Sequence, residues 1–241
     1  MSQISIETFW NKIYEANPTQ APNEQDPVLL AALKHFGNIK GARLLDLGCG
    51  NGSSSLFFAK QGANVVSIDI SDVAIQSLTQ LCVENNITNI TPMKCSAFEI
   101  AELGTFDFVF GSMILHHLEP FAVFVESLKQ SLSPKGKAFF YENNALSNLL
   151  IWFRTHLVGK YGIPKYGDHD EFPLTPAEIA ILKQKFTVNI IHPQLVFFGL
   201  ASIYLLKGNW HSSLQKLDSF LEQFPRFKKY SYLQYVLLEV N

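Results

Sequence analysis

Cysteine is scarce in this chain. Cys49, Cys82 and Cys95 are the only three in 241 residues, an odd number with no CxxC pair, which argues against a disulfide framework or a structural zinc site. Charge of one sign is missing as well: 19 Lys and Arg stand against 21 Asp and Glu, a net −2. That balance offers no electrostatic footprint for nucleic acid. Long apolar runs are absent. The longest candidate, "LVFFGLASIYLL" at 195–206, falls short of the about 18 residues a membrane-spanning helix requires and is expected to be core. The opening "MSQISIETFW" has no basic region ahead of an apolar stretch, so no secretory signal and a reducing, cytoplasmic setting are expected. No repeat or low-complexity segment interrupts the chain.

Apolar and aromatic residues are abundant: 47% hydrophobic, 13% aromatic, with 20 Phe. A chain of this length and composition buries a substantial core as one compact unit. Strand-like and helix-like stretches alternate. Strands are predicted at 42–48, 64–70, around "ITPMKCS", at 106–112 and at 137–143. Between them lie "SSSLFFAKQG", the Ser71-capped "SDVAIQSLTQLCVENN" and "FAVFVESLKQSLSPKG", the last closed by Pro134 and Gly136. Such alternation implies a parallel sheet covered on both faces. The pattern breaks over 144–175, read as a helix and a Gly/Pro-rich loop inserted into the domain. It resumes with a helix at 176–185, a strand near "FTVNIIH", the amphipathic "WHSSLQKLDSFLEQF" and a closing strand "SYLQYVLLEV".

The stretch "LLDLGCGNG" at 44–52 follows the first strand. Glycines at alternate positions let the backbone turn sharply and let a ligand approach the main chain, and ligands of open parallel sheets bind beyond the carboxyl ends of the strands. A bare strand-to-helix turn needs one glycine, not Gly48, Gly50 and Gly52. A dinucleotide fingerprint wants a third glycine where Ser53 stands. Asp46 just before the loop would face a pyrophosphate with like charge; it suits a ligand with a positive end. No Gly-Lys-Ser/Thr follows, which excludes a P-loop.

On these residues the chain resembles the class I S-adenosylmethionine-dependent methyltransferases, small-molecule type 11/12-like, from about Phe9 to Val240. The resemblance implies an α/β fold: a Rossmann-like, mostly parallel seven-stranded sheet with helices on both faces, an antiparallel last strand and a helical insertion after strand five. It implies one domain over 1–241, divided into lid helices (1–40), a cofactor-binding core (41–143), a substrate cap (144–175) and completing helices and strands (176–241). It implies S-adenosyl-L-methionine as cofactor, whose ammonium and sulfonium answer the acid of the first motif. Gly48, Cys49 and Gly50 then offer backbone to it, with Asp46 at its amino-acid end. Asp69 and Ile70, about 20 residues on, stand where the family binds ribose. Ser96 occupies the place of the family's adenine-contacting acid, followed by Ala97 and Phe98. "FDFVFGSMILHHL" resembles the fourth-strand motif, with Gly111 and Ser112 at its carboxyl end. Trp10 and Tyr14, four apart and on one face of an N-terminal helix, are expected to cover the cofactor.

Methyl transfer from a sulfonium needs alignment and exclusion of water, and a base only where the nucleophile arrives protonated. His116, His117 and Glu142 are the candidates. The histidines are adjacent and point about 100° apart if helical, so one is expected to face the cleft. Structural roles for all three remain open at this level. "DHDE" at 168–171 reads as a solvated loop rather than a metal site, and no metal is expected. The family's Asn-Pro-Pro-Tyr or Asp-Pro-Pro-Tyr signature is absent after strand four, so the expected acceptor is a small, partly hydrophobic molecule, methylated on oxygen, and not nucleic acid. Leu149, Leu150, Trp152 and Phe153 of the insertion line a pocket, pack on the sheet or form a homodimer face; the chain is read as a monomer or homodimer. The alternatives are a lipid or lipid-linked acceptor with peripheral membrane contact, a non-catalytic S-adenosylmethionine-binding protein, and a nucleotide-sugar or NAD enzyme.

Overall fold

Strand β1 (Arg43–Leu47) buries Leu44 in one apolar layer and Leu45 and Leu47 in another. Burial on both faces is what a central parallel strand requires. In the computed structural model, which describes residues 3–17, 21–160, 172–228 and 230–241, β1 lies within a seven-stranded sheet ordered β3-β2-β1-β4-β5-β7-β6. The other strands are β2 (Asn64–Asp69), β3 (Ile90–Lys94), β4 (Phe106–Ser112), β5 (Leu132–Asn143), β6 (Phe186–Ile191) and β7 (Leu233–Val240). Pairing is parallel from β3 through β5, and β7 runs antiparallel to both β5 and β6. The chain leaves β1 toward β2 on one side and reaches β4 on the other, so a crevice opens between their carboxyl ends.

Helices α2 (Pro27–Phe36), α3 (Ser53–Lys60) and α4 (Asp72–Glu84) cover one face, and α5 (Phe121–Ser131) and α7 (Pro176–Lys185) the other. The caps explain their starts. Asp26 accepts from Val28 N–H and Leu29 N–H with Pro27 opening α2, Ser71 accepts from Ala74 N–H, and Thr175 and Glu178 form a reciprocal capping box. The phenylalanines supply much of the first layer. Rings of Phe36, Phe58, Phe110, Phe139 and Tyr235 follow one another with centroids 6.0, 5.1, 6.1 and 5.0 Å apart. This line runs from α2 through α3 and across β4, β5 and β7.

Two expectations need correction. Helix α5 ends at Ser131, before Pro134 and Gly136, and β5 begins at once: Leu132 pairs with Phe106 and Lys137 with Phe108. The residues between form an irregularity in the ladder, which is where a strand tolerates proline, with no N–H to give. Apart from the buried Leu195, the apolar run at 195–206 is not core. It contains α8 (Phe197–Leu206), in which only Gly199 and Ser202 are fully buried and Leu205 is 54% exposed. With α6 (Asn148–His156), α9 (His211–Glu222) and α10 (Pro225–Lys228), α8 makes up the helices beyond the carboxyl end of β5. No helix among the described residues is long and apolar enough to cross a membrane.

The face of β1 that carries Leu44 also carries Asp46, which is buried and turned toward α3. Its Oδ2 accepts hydrogen bonds from Ser54 Oγ (2.7 Å) and Ser55 Oγ (2.5 Å), and Ser67 on β2 donates to Ser55 Oγ at 2.7 Å. Burial pushes the Asp46 carboxyl up from its usual 3.8 to about 6, against the opposing pull of the two serines. A folded pKa above the unfolded one means that this group's contribution to stability is complete below about pH 4 and is lost as pH rises through 6. The shift corresponds to about 3 kcal/mol. Urea unfolding at pH 4.5 and 7.5 is therefore expected to show Asp46→Asn gaining about 2 kcal/mol of stability relative to the native chain between the two, the remainder having been lost already below pH 4.5; a gap independent of pH would refute the assignment.

Candidate active site

The glycine loop closes off β1 in backbone conformations that side chains rarely adopt: φ is +67° at Gly48 and +49° at Gly50. A Cβ at Gly50 would lie 2.8 Å from the Tyr14 hydroxyl, and one at Gly48 3.0 Å from Ile114 Cδ1. The loop is held by β2. Cys49 N–H donates to Ile68 O at 2.9 Å, and Gly50 N–H donates to Asp69 Oδ2 at 2.9 Å. The other oxygen of Asp69 accepts from Ser71 N–H at 2.9 Å. Burial raises the Asp69 carboxyl above the usual carboxylate range while these N–H groups pull it back down.

Above this floor lies a cleft of about 640 Å³. Trp10 and Tyr14 of α1 (Gln3–Ala16), Gly48, Asp69, Ile70, Ser96, Ala97, Phe98, Ser112 and His117 all line it. The sequence therefore brings one residue from each expected motif to a common wall. Ser96 Oγ accepts from Phe98 N–H at 3.3 Å, a local turn that presents the Ala97 segment. The Trp10 ring stacks on Tyr14 (5.8 Å) and stands edge-on to His117 (5.6 Å). Helix α1 is tied to the start of α4: Ser71 Oγ donates to Asn11 Oδ1 at 2.6 Å, and Lys94 bridges Glu7 (2.8 Å) and Asp72 (2.7 Å). Burial, with Asp69, Cys49 and Asp46 nearby, pushes the Tyr14 phenol far up, so it is a neutral donor.

Six expected residues do not line the cleft: Asp46, Cys49, Gly50, Gly111, His116 and Glu142. Asp46 is spent on the serines of α3. Cys49 is buried and its thiol is pushed well up by that burial. Gly111 makes room, since a Cβ there would meet Ile114 Cγ2 and Phe140 at 2.8 Å. Glu142 is fully buried. Its Oε1 accepts from Ile114 N–H (2.8 Å) and Leu115 N–H (2.6 Å), and its Oε2 meets His116 Nδ1 at 2.7 Å. The His116 side chain is only 3% exposed. This places Glu142 and His116 beneath the turn after β4, while His117 faces the cleft. The sequence reading missed Glu99, Ile114 and Glu119 on the wall; their residue types carry no signal, and only the closing of the 95–99 and 112–119 turns around one space brings them in. Among the described lining residues, Asp69, Glu99 and Glu119 are carboxylates and none is Lys or Arg. Such a wall repels a pyrophosphate and attracts a cation. The "DHDE" segment lies outside the described residues.

A family model described as a methyltransferase domain matches residues 22–170, more than half of the chain. Among curated proteins, a ubiquinone biosynthesis O-methyltransferase of Burkholderia multivorans is 30% identical over 176 residues, 71% of this chain and 74% of that protein. One from Rickettsia bellii is 25% identical over 204 residues, 80% of this chain and 82% of its own. Among solved structures, an S-adenosylmethionine-dependent methyltransferase from Aquifex aeolicus has a TM-score of 0.58 at 16% identity, each chain covered in full. The N-methyltransferase NodS from Bradyrhizobium japonicum, solved with S-adenosyl-L-homocysteine, has a TM-score of 0.60 at 12% identity, with 96% of this chain and 98% of that chain covered. The chain belongs to the methyltransferase-domain family, and it is a class I S-adenosylmethionine-dependent methyltransferase.

Proposed function

We propose that this enzyme transfers the methyl group of S-adenosyl-L-methionine to an oxygen of a small, partly hydrophobic acceptor, working as one domain with α1 as lid and 144–175 as substrate cap. The observation that carries this reading is the cleft over the glycine loop, walled by Asp69, Glu99 and Glu119 and by His117 on the turn after β4. The names of the curated relatives support oxygen as the methylated atom.

The cofactor is bound by residues with distinct tasks. Asp69 keeps lone pairs for the ribose hydroxyls beside its two backbone N–H partners. Gly48 exposes main chain to the amino-acid portion. Ala97 and Phe98 flank the position of the adenine, and Trp10 and Tyr14 shut out water from above. The bound cofactor supplies an activated methyl on a sulfonium, so the protein's contribution is alignment and exclusion of water. An acceptor hydroxyl must lose its proton as it attacks, and imidazole is the side chain suited to take it near neutral pH. His117 fills that role. Glu142 acts one step removed: by gripping the amides of Ile114 and Leu115 and the ring of His116, it sets the turn on which His117 sits.

Two measurements separate cofactor binding from proton transfer. Isothermal titration with S-adenosylhomocysteine should give binding to the native chain and a loss of at least about tenfold in Asp69→Ala, the size expected for charge-assisted hydrogen bonds; unchanged affinity would remove Asp69 from the ribose site. In a screen of phenols, catechols and carboxylic acids, His117→Ala should lower kcat by about 10²–10⁴ with S-adenosylhomocysteine affinity within threefold of native. Turnover that survives in His117→Ala at the native rate would mean that the acceptor arrives already deprotonated and that no base is used.

A further inference from the structure

Helix α1 carries two adjacent stripes. Ile6, Trp10 and Tyr14, each four residues apart, line the cofactor cleft. Glu7 and Asn11 follow the first two by one place and turn to other partners: Glu7 reaches Lys94, and Asn11 reaches Ser71 at the start of α4. Apolar packing does little to hold this helix. From Ile6 to Ala16 no residue is fully buried, and an element with so little buried surface opens at low cost unless polar contacts fix it.

The Asn11 contact is built on a helix start. Ser71 caps α4 by accepting the Ala74 N–H at 3.2 Å, which leaves its hydroxyl proton to be donated, and it goes to Asn11 Oδ1 at 2.6 Å. The Val73 N–H approaches the same oxygen at 3.5 Å. Asn11 is thus a second acceptor at the first turn of α4, supplied by another helix, where unpaired N–H groups favour an oxygen. The backbone N–H of Ser71 is held by Asp69 Oδ1 at 2.9 Å. Asp69 lines the cleft, so Ser71 alone touches both the cofactor wall and the helix above it. Lys94, at the end of β3, adds a largely exposed ionic arm, with Glu7 at 2.8 Å and Asp72 at 2.7 Å.

We propose that Asn11 is a positioning residue for the cofactor: its bond to Ser71 latches α1 over the cleft and sets how long the cofactor stays bound. The assignment rests on the cofactor-site and lid readings above. With α1 lifted, Asn11 and Ser71 bond to water; with α1 down, they bond to each other and close the cleft. A latch of this kind slows departure and leaves arrival nearly untouched, because the encounter precedes closure. The ionic arm supplies a weaker share of the same hold, and salt screens it.

Stopped-flow association and dissociation of S-adenosylhomocysteine, read by tryptophan fluorescence, test the latch. Asn11→Ala should raise the dissociation rate by at least about tenfold, with the association rate within about threefold of native and the urea midpoint unchanged. Asn11→Asp keeps an oxygen acceptor at the start of α4 and should return dissociation to within about threefold of native. Lys94→Met should speed dissociation by about two- to fivefold at low salt and remove its salt dependence. Unchanged dissociation in a folded Asn11→Ala protein, or in Lys94→Met should that protein not fold, would overturn the latch and leave the cofactor site standing. So would a loss that Asn11→Asp does not restore. Failure of S-adenosylhomocysteine to bind the native chain would instead overturn the cofactor-site reading on which the latch rests.

Discussion

One carboxylate organises the cofactor end of this molecule. Asp69 stands at the last position of β2 and divides its two oxygens between Gly50 N–H of the glycine loop and Ser71 N–H at the cap of α4. Those two amides belong to different connections, on opposite sides of β2 in the chain. Without a shared acceptor, each would be an unsatisfied donor in a buried place, at a cost of about 1–3 kcal/mol apiece. Ser71 passes the constraint on, since its hydroxyl caps α4 and also reaches Asn11 of α1. Loop, helix start and cover are thereby indexed to a single side chain.

The acceptor end has a counterpart in Glu142. It lies at the carboxyl end of β5 and holds the turn that follows β4. The logic is the same: a buried acid is tolerable when it receives several hydrogen bonds, and once so paired it makes a rigid joint between adjacent strand ends. The proposed function gives the chemistry to neighbours of these acids, the glycine loop in one case and His117 in the other. Both acids therefore have to be judged partly as framework.

Much of the architecture was legible from hydrophobic alternation and from the caps. Phe106–Ser112 and Pro176–Lys185 fall where the pattern puts them, because both are bounded by clear breaks in that pattern. The turn of α5 into β5 was not, because Pro134 and Gly136 punctuate an irregular strand as readily as a helix end. Residues 195–206 misled for a different reason: an apolar run does not reveal whether a neighbour exists to bury it. At the site, motif order gathered Asp69, Ser96–Phe98 as a segment, Ser112 and His117 at one cleft. It did not foresee which way side chains turn. Asp46 and Glu142 have the right positions in the chain, yet each lies buried with its carboxylate turned to neighbouring hydroxyls, amides or an imidazole. That outcome depends on serines eight and nine residues away and on backbone amides from another strand end.

The position of Trp10 couples two events that a sequence would treat as separate. Its ring packs on Tyr14, which overlies the glycine loop, and also abuts the imidazole of His117. In the proposed lid role of α1, any opening of that helix would also withdraw Trp10 from His117. Cover and proposed base are thus joined through one aromatic side chain, so that the helix over the cofactor cleft and the imidazole beside it cannot be displaced independently.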